Sequence, residues 1–182
     1  MMNKLFLLAL ITFSLSAQSQ KYLTKTGKVV FTSKTPLETI EGTNKSVASL
    51  LDSKSGGVDF IIQIKSFVFD RQLLQEHFNE NYMESDKIPK ATFKGTITNL
   101  GEINFAKDGE YKADVSGKMT IHGITKDVKH SGKISVKGST VALNSNFSIL
   151  LADYGIIIPG AVKDKISKDV KVTVQCLLEK MK

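Results

Sequence analysis

Alternation of apolar and polar residues with a period of two constrains this chain more than any other feature. From Gly109 to Ile121, the residues Tyr111, Ala113, Val115, Gly117, Met119 and Ile121 share one face, and Lys112, Asp114, Ser116, Lys118 and Thr120 share the other. Successive strand side chains point to opposite sides, so this pattern predicts a strand with one buried and one wet face. His122-Gly123 follows, and a two-residue turn fits there because glycine adopts positive φ freely and histidine tolerates it. Pairing Ile121 with Ile124 sets Met119 opposite Lys126, Gly117 opposite Val128, Val115 opposite His130 and Tyr111 opposite Ile134. The same register places Lys118 against Asp127 and Thr120 against Thr125 on the outer face, both favourable cross-strand pairs.

The period recurs in Val58 to Ile64, in Phe93 and Ile97, in Val141 to Leu151 and in Val170 to Leu178, with shorter runs at Tyr22 to Thr26, Val29 to Ser33 and Ser46 to Leu51. This set of about eight strands predicts an all-β domain, either a sandwich or an antiparallel closed barrel. Closure removes exposed strand edges, and ~8 strands leave an interior that can hold one small ligand. Arg71 to Asn81 interrupts the pattern: Leu73, Leu74, His77 and Phe78 recur at helical spacing, which predicts a short amphipathic helix. A second helical turn is expected at Ala161 to Ser167, after Pro159-Gly160.

The first twenty residues, MMNKLFLLALITFSLSAQSQ, combine a positive start at Lys4, an apolar run and a small polar tail. That is the three-part pattern of a cleaved secretory leader, and the apolar run is shorter than the ~20 residues a spanning helix needs. Residues 21 to 182 then form one ordinary domain, expected in the periplasm or outside the cell. With Cys176 as the only cysteine, no disulfide can form within the chain, and its place in an apolar strand face predicts a buried, inert thiol. The formal net charge of +7, one less without Lys4, suits solubility or an anionic surface or ligand.

Motifs that carry chemistry are scarce. The three histidines, His77, His122 and His130, stand at no zinc-site spacing, and the chain has no GxSxG, P-loop or dinucleotide-binding glycine pattern. No metal or cofactor is expected. Lys129, Lys133 and Lys137 form a basic stripe without interleaved aromatics, which argues against a single-strand nucleic-acid platform.

Three segments, SFVFDRQLLQEHFNENYMESDKIPKATFKGTI (66 to 97), GKMTIHGITKDV (117 to 128) and DYGIIIP with VKDKI (153 to 166), resemble the secreted YceI-like proteins, a lipid- or polyisoprenoid-binding family. The resemblance implies a lipocalin-like antiparallel barrel enclosing a long apolar ligand such as a polyisoprenoid or fatty-acid derivative. The N-terminal third matches loosely. Arg71-Gln-Leu-Leu stands where an Arg-Asp-x-His-Leu type motif is often found, so no head-group contact is carried over to it.

The inward residues expected to line the lumen are Phe60, Ile62, Phe67, Phe69, Phe93, Val115, Met119, Ile121, Phe147 and Ile149. Each either contacts ligand or packs a filled core. Phe78, Tyr82 and Met83 are expected to form a lid over the barrel mouth, with Glu80, Asn81 and Glu84 in water; the alternative is a permanent plug. Two polar residues fall on the inner face. Lys126 either lays its stem on the wall with its ammonium at the rim or meets an anionic head group, and His130 is either a hydrogen-bonded core residue or a ligand contact. The reading is a non-catalytic carrier of an apolar ligand. Its rivals are a ligand-free barrel serving as a protein-interaction or stress-response module and, third, an enzyme acting on lipid; a homodimer stays open.

Overall fold

The computed structural model describes residues 20–181; the leader expected over residues 1–20 lies outside them save for Gln20. The strands are β1 (Lys21–Lys34), β2 (Thr39–Asp52), β3 (Gly57–Gln63), β4 (Phe67–Val68), β5 (Lys90–Ile97), β6 (Gly109–Ile121), β7 (Ile124–Lys137), β8 (Thr140–Leu150) and β9 (Asp169–Lys180). Eight of them follow one another around a closed antiparallel barrel, β1-β2-β3-β5-β6-β7-β8-β9, with β1 pairing both β2 and β9. The two-residue β4 adds to β2 at Thr43 and Asn44.

The β6–β7 hairpin has the expected register at every pair, from Ile121–Ile124 through Met119–Lys126 and Val115–His130 to Tyr111–Ile134. His122 and Gly123 have φ of 49° and 76°, the left-handed pair that a two-residue hairpin turn requires. On the outer face Lys118 Nζ donates to Asp127 Oδ1 at 2.9 Å, and the Thr120 and Thr125 hydroxyls lie 2.8 Å apart.

The runs at Tyr22 to Thr26 and Val29 to Ser33 are one strand, not two. The pairing of β1 with β2 shifts between Thr24 and Gly27 and again between Gly27 and Val29. Inward positions therefore change phase, from Tyr22 and Thr24 to Gly27 and Val29, as a bulge dictates. β2 changes phase beside it, between Asn44 and Val47. Asn44 is fully buried and serves the irregularity: its Nδ2 donates to the Gln63 carbonyl at 2.9 Å and its Oδ1 accepts from Ser46 N at 2.8 Å. Gly27 is required here, since a Cβ would come within 2.3 Å of Cys176 Sγ.

The barrel is solid at one end. Val47, Leu51, Val141 and Leu178 have no exposed surface, and Tyr22 packs on Phe105 with ring centroids 6.2 Å apart. Each such side chain contributes ~1.5–3 kcal/mol by leaving water. Cys176 belongs to this end, and burial pushes its thiol pKa up to about 11, which leaves it protonated and unreactive near neutral pH.

The helical interruption is shorter and less regular than the spacing predicts. α1 spans Gln72–His77 and passes into a π-helical turn, Phe78–Tyr82. The second helical segment is a 3-10 turn at Gly160–Val162 followed by a hydrogen-bonded turn over residues 163–165.

Candidate ligand-binding cavity

Above the solid end lies a cavity of about 350 Å³, within the range of about 300–1,000 Å³ common for small-molecule sites. Strand alternation delivers its wall: Phe60 and Ile62 from β3, Phe93 from β5, Val115, Met119 and Ile121 from β6, and Phe147 and Ile149 from β8 all line it. Phe67 and Phe69 reach it from the β4 segment. All ten residues singled out from the sequence thus border one space. Phe31, Ile156, Ile166 and three valines of β9 border it too. Phe31 and the β9 valines were legible as strand positions, whereas Ile156 and Ile166 sit in irregular chain with no period to mark them.

Phe78, Tyr82 and Met83 also border the cavity, and the π turn explains how. Residues five apart diverge by roughly 140° on an α-helix. Here Met83 N donates to Phe78 O at 2.9 Å, a wider i→i+5 turn that brings both side chains to one side. Phe78 stacks on Phe31 with centroids 5.2 Å apart and meets Phe67 and Phe69 at 5.5 and 5.0 Å. Two polar links fasten the segment. Arg71, preceding α1, ion-pairs with Glu38 of the β1–β2 turn, and its guanidinium holds the Glu38 carboxyl below the usual carboxylate range. At the other end Glu84 does not simply face water. With φ of 43° it turns to Lys87, at 2.6 Å, and to His122 Nε2, at 3.5 Å. His122 Nδ1 in turn donates to the Tyr154 carbonyl at 3.2 Å, so the hairpin turn joins the lid segment to the stretch after β8.

The two polar residues of the inner face part company. Lys126 does not line the cavity; its side chain is 47 % exposed, with Nζ 3.9 Å from Asp153 Oδ1. His130 does line it. Its ring stacks on Phe147, with centroids 4.1 Å apart and planes 24° from parallel, and its Nε2 is buried with no hydrogen-bond partner among the described residues. Removal from water lowers the His130 pKa, so the imidazole is neutral at pH 7.

This stack crosses a seam. β7 and β8 pair only from Gly132–Ser145 to Lys137–Thr140. Beyond that, β7 residues 124–131 pair with β6 alone and β8 residues 146–150 with β9 alone. Ser145 Oγ donating to Ser131 O at 2.9 Å marks one end of the unpaired stretch, and Lys126 beside Asp153 marks the other. Between them side chains, not backbone hydrogen bonds, cover the cavity.

Among the described residues no helix is long and apolar enough to cross a membrane, and no group of three or more His, Cys, Asp or Glu is placed to hold a metal ion.

Solved structures similar to this barrel include a polyisoprenoid binding domain from Saccharophagus degradans implicated in plant cell wall breakdown. It superposes with a TM-score of 0.77 at 14% identity, covering 90% of this chain and 100% of that one. Burkholderia cenocepacia BcnA follows with a TM-score of 0.68 at 19% identity over 84% and 95% of the two chains. A Campylobacter jejuni YCEI protein gives 0.61 at 18% identity over 78% and 85%. At these identities the likeness is one of fold. In sequence, a UPF0312 protein of Pseudomonas putida (strain W619) is 31% identical over 98 residues, and one of Pseudomonas syringae pv. syringae is 28% identical over the same length. In both cases the match covers 50% of this chain and 47% of the relative, so the chain aligns with about half the length of these curated relatives. The model of the YceI-like domain matches residues 21–178, the whole barrel from β1 into β9, and the chain therefore belongs to the YceI-like family.

Proposed function

We propose that this protein is an exported, non-catalytic carrier that holds an apolar chain, a polyisoprenoid or fatty-acid derivative, inside its barrel. One observation carries the reading: the cavity of about 350 Å³ is walled by aromatic and aliphatic side chains and roofed by Phe78, Tyr82 and Met83. Apolar surface of this kind gains free energy by covering an apolar chain, ~25 cal/mol per Å² removed from water. The Saccharophagus degradans neighbour, a polyisoprenoid binding domain of the same fold, supports the ligand class. The non-catalytic part rests on the groups that are isolated: the Cys176 thiol is buried in the solid end, and His130 stacks on a phenyl ring, its Nε2 without a hydrogen-bond partner among the described residues. Export rests on the leader pattern of residues 1–20; protein recovered from outside the cytoplasm begins between Gln18 and Lys21, and a mass that retains Met1 contradicts export.

A fluorescent fatty-chain probe tests the carrier reading. The protein freed of bound lipid takes up one probe per chain, saturably. Ala91→Trp, which fills the cavity from β5, abolishes uptake while the strand circular dichroism persists. Absence of saturable uptake by the parent protein overturns the reading.

A further inference from the structure

We propose that the open end of the barrel docks on a phospholipid bilayer, setting Leu37 and Ile157 among the head groups, so that the cavity exchanges its chain with the membrane and not with water. The inference rests on the carrier reading and adds the partner from which the carrier loads. Around the barrel wall, alternation puts apolar side chains inward and polar ones outward. The segments that ring the mouth break that rule by being apolar on both sides. Leu74 borders the cavity and Leu73 is 60% exposed; Ile149 and Leu151 border it and Leu150 between them is exposed; Ile156 borders it and Ile157 is 81% exposed. Leu37, in the β1–β2 turn, is 70% exposed beside Glu38 of the cavity rim. These outward side chains do not line the cavity, so enclosing a ligand does not account for them. Nine large apolar side chains are exposed among the described residues, and Leu37, Leu73, Ile124, Leu150 and Ile157 all stand at this end. The excess is local to the mouth.

The charges nearby fit a lipid surface. Gly155 lies against Ile124, and Ser167 N donates to Ser33 Oγ at 2.8 Å. Residues 155–168 therefore arc along one side of the mouth, from the His122-Gly123 turn to the β1–β2 turn that carries Leu37. Lys34, Lys163, Lys165 and Lys168 are exposed along this arc and outnumber the exposed Asp164 and Asp169. Glu38, the acid of the turn itself, is held by Arg71. Glu76 and Glu80 are exposed on the lid segment, which leaves the arc as the part of the rim that meets anionic head groups. A protein interface needs continuous, close-packed area. Single aliphatic side chains on separate turns, with lysines between them, suit a bilayer instead: each sinks between head groups on its own, and each ammonium stays level with the phosphates. Docking also serves the cargo. An apolar chain released into water loses the free energy that burial gave it, in proportion to its area, and a mouth seated on the bilayer avoids that exposure.

The test is flotation with vesicles of phosphatidylcholine, with and without phosphatidylglycerol, of protein recovered from the producing cell. Parent and variants share one N-terminus, so residues 1–20 affect all alike. The parent floats with both vesicle types, and more strongly with phosphatidylglycerol at low salt. Leu37→Ser with Ile157→Ser lowers its partitioning about tenfold or more, and Lys163→Gln with Lys168→Gln removes the preference for phosphatidylglycerol. Ile61→Ser with Leu177→Ser, exposed on the outer faces of β3 and β9, leaves partitioning unchanged. Transfer of the fluorescent chain from vesicle to protein speeds up with vesicle concentration in the parent and loses that dependence in Leu37→Ser with Ile157→Ser. Circular dichroism shows equal strand content throughout. A parent that stays in solution with both vesicle types, equal losses in the mouth and wall variants, or transfer indifferent to vesicle concentration overturns docking. So does a parent that ignores vesicles and dimerises in ultracentrifugation through Leu37 and Ile157. Probe uptake from aqueous dispersion in any of these cases leaves the carrier reading standing, and failure to take up probe from vesicles and dispersion alike removes the carrier reading itself.

Discussion

His130 and Phe147 stack at 4.1 Å across the two strands of the barrel wall that do not pair at that level. Their contact spans a stretch of wall without strand pairing, and it keeps part of a titratable ring from water.

The stack makes stability depend on pH in a defined window. Burial lowers the folded-state pKa of His130, so on acidification the unfolded chain takes up the proton first, near pH ~6.5. Stability is complete above that range and declines as pH falls from it toward the lower folded value. Carboxylates held below their usual range, such as Glu38 beside Arg71 and Asp114 beside Ser131 and Lys112, lose their contribution at lower pH. Urea titrations between pH 8 and pH 5 show this decline in the parent and a flatter profile in His130→Phe; identical profiles refute the assignment.

Register was legible wherever both faces of a strand constrained it. In β6–β7 the apolar face and the Lys118–Asp127 and Thr120–Thr125 pairs select one alignment, and His122-Gly123 supplies the turn. The first two strands were not legible as wholes, because the phase change near Gly27 and Asn44 breaks the alternation into short runs. The seam was hidden for a different reason: β7 and β8 alternate without a break, and nothing in that pattern says their pairing stops at Gly132–Ser145. Neither the π turn that brings Met83 round beside Phe78 nor the partnering of Glu84 with His122 follows from spacing. Both depend on how the lid segment meets the barrel.

The two ends of the barrel differ in their response to truncation. Leu51→Ala or Leu178→Ala leaves a hole in a filled interior and costs ~2–5 kcal/mol. Phe60→Ala, at a wall that already borders open space, costs less than the ~3–5 kcal/mol expected for a close-packed phenylalanine. Denaturant midpoints of the lipid-free variants check the contrast, and equal large losses at both ends mean that the lumen is filled.

The lid segment controls exchange more than it supports the fold. Arg71→Gln removes the pair with Glu38, which contributes little to stability at an exposed site, and raises the probe's dissociation rate about twofold to fivefold. Phe78→Ser with Met83→Ser raises it further by dissolving the contacts with Phe31, Phe67 and Phe69. Stopped-flow dissociation measures the rates and circular dichroism the persistence of strand structure. Rates equal to the parent's make the segment a fixed plug.

The central claim, that this barrel exists to hold an apolar chain, is tested most directly by native mass spectrometry of protein purified without detergent from the cell that makes it, followed by mass analysis of its organic extract. The account predicts a complex heavier than the bare chain by one ligand, and an extract holding an equimolar isoprenoid or acyl species. Protein that carries nothing, and stays empty after exposure to the cell's extracted lipids, contradicts it.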